Sequence, residues 1–197
     1  RSGGDTQVHI QRYKKTNDSE WTLDAPSSSS QTMELDHAND MTYNKNLTYE
    51  GQTNPGLLVV AHNEGGPNRI SFVDPSSLTC INANLVKHVG GSSLTLASGE
   101  NSYIKISKDI YAIDYNALRD QYVVGISGGQ TYCILDKDFN VVSSFYNQTQ
   151  HSTTEYTHQG VVADDNFIYF NLYYAPDDGV TPEHTGHLIT VYDYNGN

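Results

Sequence analysis

The sequence predicts an all-β protein on three observations. Short apolar runs alternate with polar residues at period two, clusters of Gly, Asn, Asp and Ser separate the runs, and tyrosine supplies 15 of 197 residues. The only stretch with helical character, "NALRDQ" (116–121), lies between strand-like runs and is too short to hold a helix by itself. It reads as a turn.

Taken in order, the strand-like runs are "TQVHIQRY", "GLLVVAH", "RISFVD", "QYVVGIS", "TYCILD", "NVVSSFY", "NFIYFNLYY" and "HLITVYDY". They recur as units. One element is a strand that ends in an aromatic or an aspartate before a polar turn: "HIQRYKK", "ISFVDPS", "YCILDKD" and "ITVYDYN", aligned on Tyr13, Asp74, Asp136 and Asp193. A second element precedes the last three of these: "HANDMTYN", "DIYAIDYN" and "HQGVVADD", aligned on Tyr43, Tyr115 and Asp164. Between the two lies an apolar strand, and after "YCILDKD" comes a fourth strand, "NVVSSFY".

An inner strand, a polar turn, an apolar strand, a strand ending in Asp and an outer strand form the pattern of a β-propeller blade of four antiparallel strands. A β-sandwich is the rival arrangement, since it also uses strands at such spacing. The repeated strand order favours blades. The chain is then one propeller segment, residues 1–197, divided into a partial blade 6–24, a blade 36–88, a blade 102–146 and a partial blade 156–197, with residues 86 to 100 as a long loop. So few blades are expected to be an incomplete propeller, with the remaining blades in a missing segment, or one completed by homo-oligomeric association.

Composition narrows the function. A formal charge of −12, from 23 acidic and 11 basic residues, repels nucleic-acid phosphates and anionic lipid, so neither is an expected partner. No apolar run is long enough for a membrane-spanning helix. Abundant Tyr, Asn, Ser, Thr and Gly suits an extracellular or cell-surface β-protein. Cys80 and Cys133 are too few and too far apart in sequence for a disulfide-stapled scaffold and are expected to be reduced and buried. Three sequons, at Asn17, Asn46 and Asn147, are about as many as chance yields in so Asn- and Ser/Thr-rich a chain.

The motifs "HANDMTYN", "IYAIDYN", "YTHQGVVADDNFIYF" and "ITVYDYNGN" together resemble propeller-repeat proteins, themselves uncharacterised, that are secreted by or displayed on Gram-positive bacteria. The resemblance covers most of residues 33 to 197. It implies a fold and an extracellular location, and its motifs mark blades and not an active site.

The repeat alignment puts His37, Asp109 and His158 at one position, just before each inner strand. With Asn39, Asp40 and Gln159 they would ring the propeller mouth. Two imidazoles and a carboxylate are the right groups to bind a sugar or peptide, to hold a divalent ion, or to act as acid and base. The plainer alternative is that these polar groups satisfy backbone N–H and C=O at the blade corners. The spacing matches no metal signature, and the metal content stays open.

"DKDFN" (136–140) opens like a calcium loop, but Val141 stands where the loop needs glycine and Asn147 where it needs glutamate. Turn formation explains its acids equally well. "APDDG" with Glu183, His184 and His187 is a long polar loop with a similarly weak claim on a cation. Trp21, Tyr111, Tyr156, Tyr169, Tyr173 and Tyr174 could stack on sugar rings, or pack between blades.

The expected function is a non-enzymatic extracellular binding or interaction module taking a carbohydrate, cell-wall or protein ligand at the mouth, without a cofactor. The alternative is a carbohydrate-active hydrolase or lyase, for which Asp40 and Asp109 are the nominated carboxylate pair.

Overall fold

The computed structural model describes residues 8–24, 32–33, 38–47, 56–62, 69–80, 86–89, 95–97, 103–106, 110–126, 131–146, 156–174 and 186–197, and no helix occurs among them. The strands in chain order are β1 (Val8–His9), β2 (Tyr13–Asn17), β3 (Glu20–Leu23), β4 (Thr32–Met33), β5 (Ala38–Asn44) and β6 (Leu57–His62). They continue as β7 (Arg69–Asp74), β8 (Thr79–Cys80), β9 (Val86–Val89), β10 (Thr95–Ala97), β11 (Tyr103–Ile106) and β12 (Ile110–Asn116). The last are β13 (Gln121–Ile126), β14 (Thr131–Asp136), β15 (Val141–Tyr146), β16 (Tyr156–Ala163), β17 (Phe167–Tyr174) and β18 (Gly186–Asp193).

The expected strand order is clearest in the middle of the chain. Strands β12-β13-β14-β15 form one four-stranded antiparallel sheet in sequence order. Residues 117–120 make its first hairpin turn, as "NALRDQ" predicts. The last sheet, β16-β17-β18, repeats the first three of these strands, and β5-β6-β7 repeats them again in the first sheet. Among the described residues the sheets do not close into a barrel or a ring.

The outer part of the first sheet differs from expectation. β8 is only two residues long and pairs β7 at Val73 and Asp74, while β11 pairs the other half of the same edge at Arg69, Ile70 and Ser71. β11 then runs parallel to β9, which carries β10. Residues 103–106 therefore extend the first sheet and do not open the second. The span 86 to 100, expected to be loop, contributes two strands. Pairing across so long a separation is set by an open sheet edge, which local alternation does not report. The amino-terminal partial blade differs as well: β1 pairs β4, and β2 with β3 makes a separate, largely exposed hairpin in which Tyr13 begins a strand and does not end one.

Two apolar layers join the three sheets. Leu57, Val59, Ile70 and Phe72 of the first sheet pack on Ile113, Tyr115, Tyr122, Val124, Cys133, Leu135 and Phe139 of the second. The other face of the second sheet, with Ala112, Val123, Tyr132 and Ile134, packs on Val161, Ile168, Phe170 and Leu172 of the third. Each sheet is thus used in order, its trailing face against the leading face of the next. Period-two alternation with apolar residues on both faces of the central sheet is what makes this stacking favourable. Aromatic contacts reinforce both layers: Tyr122 stacks on Phe139 with centroids 4.5 Å apart, and Tyr132 lies 4.6 Å from Phe170. Cys133 is buried in the first layer, as expected, and the side chain of Cys80 lies outside the described residues.

Candidate functional site

The inner strands β5, β12 and β16 begin alike. Each carries a β-bulge against its neighbour, at Ala38/Asp40, Ile110/Ala112 and His158/Gly160, so Asn39, Tyr111 and Gln159 occupy one structural position. This corrects the sequence alignment. His37 and Asp109 precede their strands, but His158 corresponds to Ala38 and Ile110, one residue further on. Because successive strand residues face opposite sides, His158 shares its side of the strand with Ala38 and Ile110. His37 and Asp109 lie outside the described residues, and of His158 only the strand position is described.

Asn39 and Asp40 do meet the neighbouring inner strand. The Asn39 amide donates to the Tyr111 carbonyl at 3.4 Å. Asp40 accepts from its neighbour Met41 N–H at 2.9 Å through Oδ1, and from Ile113 N–H at 3.1 Å through Oδ2. Burial raises the Asp40 carboxyl to a pKa of about 6, against the lowering effect of the Ile113, Met41 and Val161 backbone N–H groups; the nearby Asp114 charge adds a further upward push. Gln159 is exposed at the bulge of β16.

Two steps along β5 the same arrangement recurs. Thr42 Oγ1 accepts from Tyr115 N–H at 3.1 Å and donates to Asp114 Oδ1 at 2.9 Å. Asp114, at the position of Thr42 on the next inner strand, accepts from Ala163 N–H of the strand after that at 2.8 Å. Side chains of β5 and β12 thus satisfy N–H groups of the following inner strand that have no ladder partner among the described residues. At the strand ends, buried Asn44 donates to the Tyr122 hydroxyl and buried Asn116 to the Tyr194 hydroxyl, both at 2.6 Å. Their carbonyl oxygens accept turn N–H groups from Asn46 and from Leu118 and Arg119. Arg119 then lies over the Tyr194 ring, 3.8 Å from its centroid, and holds the Asp165 carbonyl.

Thr42, Asp114, Asn44 and Asn116 were not nominated from the sequence. The signal was present, since "DMTYN" and "AIDYN" align Thr42 with Asp114 and Asn44 with Asn116. It reads as strand alternation until the neighbouring strand is known.

The "DKDFN" acids are engaged in their own turn. Asp136 accepts from the N–H groups of Asp138 and Asn140 and from the Asn140 amide, and its carbonyl from Phe139 N–H. "DYNGN" makes the same bonds from Asp193 to Asn195, Asn197 and Gly196 without a second acid, which assigns the pattern to turn formation. These bonds hold the Asp193 carboxyl below its usual range. Among the described residues there is no group of three or more His, Cys, Asp or Glu placed to hold a metal ion, and no helix long and apolar enough to cross a membrane. Of the nominated tyrosines, Tyr169 and Tyr173 are partly exposed on the third sheet, and Trp21 is exposed on the β2–β3 hairpin. The side chains of Tyr156 and Tyr174, and the residues Glu183 and His184 with the "APDDG" loop, lie outside the described residues.

Neither a protein-family model nor a curated protein sequence matches the chain.

Proposed function

We propose that the chain is a non-enzymatic binding or interaction module, secreted or displayed on a bacterial cell surface, whose three sheets are consecutive blades of a propeller-like array. Its ligand, a carbohydrate, cell-wall polymer or protein, meets the ends of the inner strands where Asn39, Tyr111 and the exposed Gln159 occupy the β-bulges. The observation that carries this reading is the use made of the inner-strand carboxylates. Asp40 and Asp114 both accept backbone N–H groups from the neighbouring strand, which suits fasteners between blades better than an acid and a base working on a glycosidic bond. Bulges at one end of adjacent strands turn side chains outward without breaking the layers behind them, and binding surfaces are commonly built so.

The test is retention of the purified chain on bacterial cell walls and on insoluble polysaccharides. Gln159→Ala, and His37→Ala combined with His158→Ala, should weaken retention severalfold while leaving the melting temperature unchanged. Release of reducing sugar from the same polymers, abolished by Asp40→Asn, would instead establish the hydrolase alternative.

A further inference from the structure

Strand β18 is an eight-residue sheet edge that nothing in its sequence defends. It pairs β17 without a break from Gly186 to Asp193, and no described strand covers its other side. Exposed edges are ordinarily blunted by lysine, proline or a β-bulge. "GHLITVYD" has none of these, whereas β5, β12 and β16 each carry a bulge, as does the pairing of β15. The turn that follows β18 shows which backbone groups face the open side. Asp193 N–H donates to the Asn197 carbonyl and the Asp193 carbonyl accepts from Gly196 N–H, both at 3.0 Å, so these groups point away from β17. Along an unbroken antiparallel pair the N–H and C=O groups of every second residue face one way, so those of Val191, Ile189 and His187 face the open side too.

The second sheet shows what such an edge receives. Asp136 N–H donates to the Asn140 carbonyl at 2.8 Å, the Asp136 carbonyl accepts from Phe139 N–H at 2.9 Å, and β15 then lies antiparallel on β14. Counted from the aspartate, Ile134 and Tyr132 are the counterparts of Val191 and Ile189, and they pair Ser143 and Phe145. Phe145 covers Tyr132, with centroids 5.1 Å apart, whereas Ile189 is 68% and Val191 49% exposed. Donors and acceptors that repeat at every second residue are the complement of another extended backbone. Charge selects whose backbone it is. Residues 156–197 contain six acids, Asp164, Asp165, Asp177, Asp178, Glu183 and Asp193, and neither lysine nor arginine.

We infer that β18 is a docking edge for an extended cationic segment of another polypeptide, which adds antiparallel as a fourth strand of the third sheet. Its backbone pairs with Val191, Ile189 and His187. Residues directly opposite one another share a face of the sheet, so apolar side chains at alternate positions of the added strand cover Ile189 and Val191. Its lysines or arginines offset the uncompensated acids of residues 156–197. Main-chain bonds supply affinity in this mode, and the alternating side chains and the charge supply selectivity. Salt weakens the complex, because it screens the attraction between opposite charges. The edge is separate from the bulged ends of the inner strands, and the inference does not depend on the ligand-binding reading above.

Fluorescence anisotropy with labelled synthetic peptides tests it. The probe carries the β15 residues Val141–Tyr146 between flanking lysines. It should bind the chain saturably, more weakly at higher salt, and about tenfold more weakly when glutamates replace the lysines. Methylation of the peptide amides that face β18 should abolish binding, and methylation of the alternate amides should leave it intact. Ile189→Pro should also abolish binding while the chain stays folded by circular dichroism, because the N–H it removes faces the open edge and not β17. Where that variant does not fold, the methylated peptides carry the test. Absence of saturable binding overturns the inference, as does equal binding of the glutamate-flanked peptide or an equal effect of the two sets of methylated amides. Self-association of the chain that excludes the peptide and is removed by Ile189→Pro overturns the cationic partner in favour of a second copy.

Discussion

Asp40 makes the stability of this protein depend on pH in a direction opposite to most aspartates. Its carboxyl titrates near 6 in the folded chain, against an ordinary value of 3.8, chiefly because burial disfavours the charge. The folded state therefore holds the proton more tightly than the unfolded state. The contribution is fully present below about pH 3.8 and is lost as pH rises through about 6, after which the charged group remains at constant cost. At about 1.4 kcal/mol per pKa unit the change is at most about 3 kcal/mol, and it is smaller to the extent that water reaches this partly buried group. Asp40→Asn removes the titration. Its amide keeps one acceptor, so one of the Met41 and Ile113 N–H groups loses a partner, at about 1 kcal/mol independent of pH. Urea unfolding of both proteins from pH 4 to 7.5 should show the asparagine variant gaining on the wild type by up to about 2 kcal/mol across the range. The comparison cancels groups such as Asp164 and Asp193, whose lowered pKa values give stability that is lost as pH falls. Parallel curves for the two proteins would refute the assignment of the burial cost to Asp40.

Asp114→Ala should destabilise by about 2 kcal/mol in urea, since it orphans the Ala163 N–H and the Thr42 hydroxyl. Combined with Thr42→Val it should cost less than the sum of the two, because the side chains share one bond. Tyr132→Phe should be neutral or stabilising by up to about 1 kcal/mol in a thermal melt, as the buried Tyr132 hydroxyl has no partner among the described residues. Tyr122→Phe should cost about 1 to 2 kcal/mol in the same assay by stranding the buried Asn44 amide. Gly196→Ala should lower the melting temperature by an amount equivalent to about 1 kcal/mol or more. The backbone there has φ of +86°, and an added Cβ would run into the Phe145 ring.

Much of the chain could be read without a structure. Period-two runs located the main strands of all three sheets, and the aspartates at 74, 136 and 193 marked the ends of equivalent strands. The acids of "DKDFN" were ambiguous between turn and ion. The fold separates these uses because "DYNGN" builds the same turn from a different set of side chains, with Gly196 at φ +86° where Phe139 takes +64°. Phe139 tolerates that conformation while its ring is buried against Tyr122 and Phe72.

The candidate site was less legible. The sequence aligns Asp164 with Tyr43 and Tyr115, whereas the shared bulge puts Ala163 at that position and His158 at that of Ala38 and Ile110. Asp40 was nominated for its charge, but what decides its chemistry is the neighbouring strand, seventy-odd positions away, that supplies the Ile113 N–H and the burial. The sequence by itself determined the class of fold, the strand order within a sheet and the turns between strands, because alternation, β-propensity and Asx turns act over a few residues. Only the tertiary structure decided which sheet edge β11 would join, which carboxylates would cap which strands and which apolar faces would remain open, because those outcomes depend on backbone groups and surfaces brought together from distant parts of the chain.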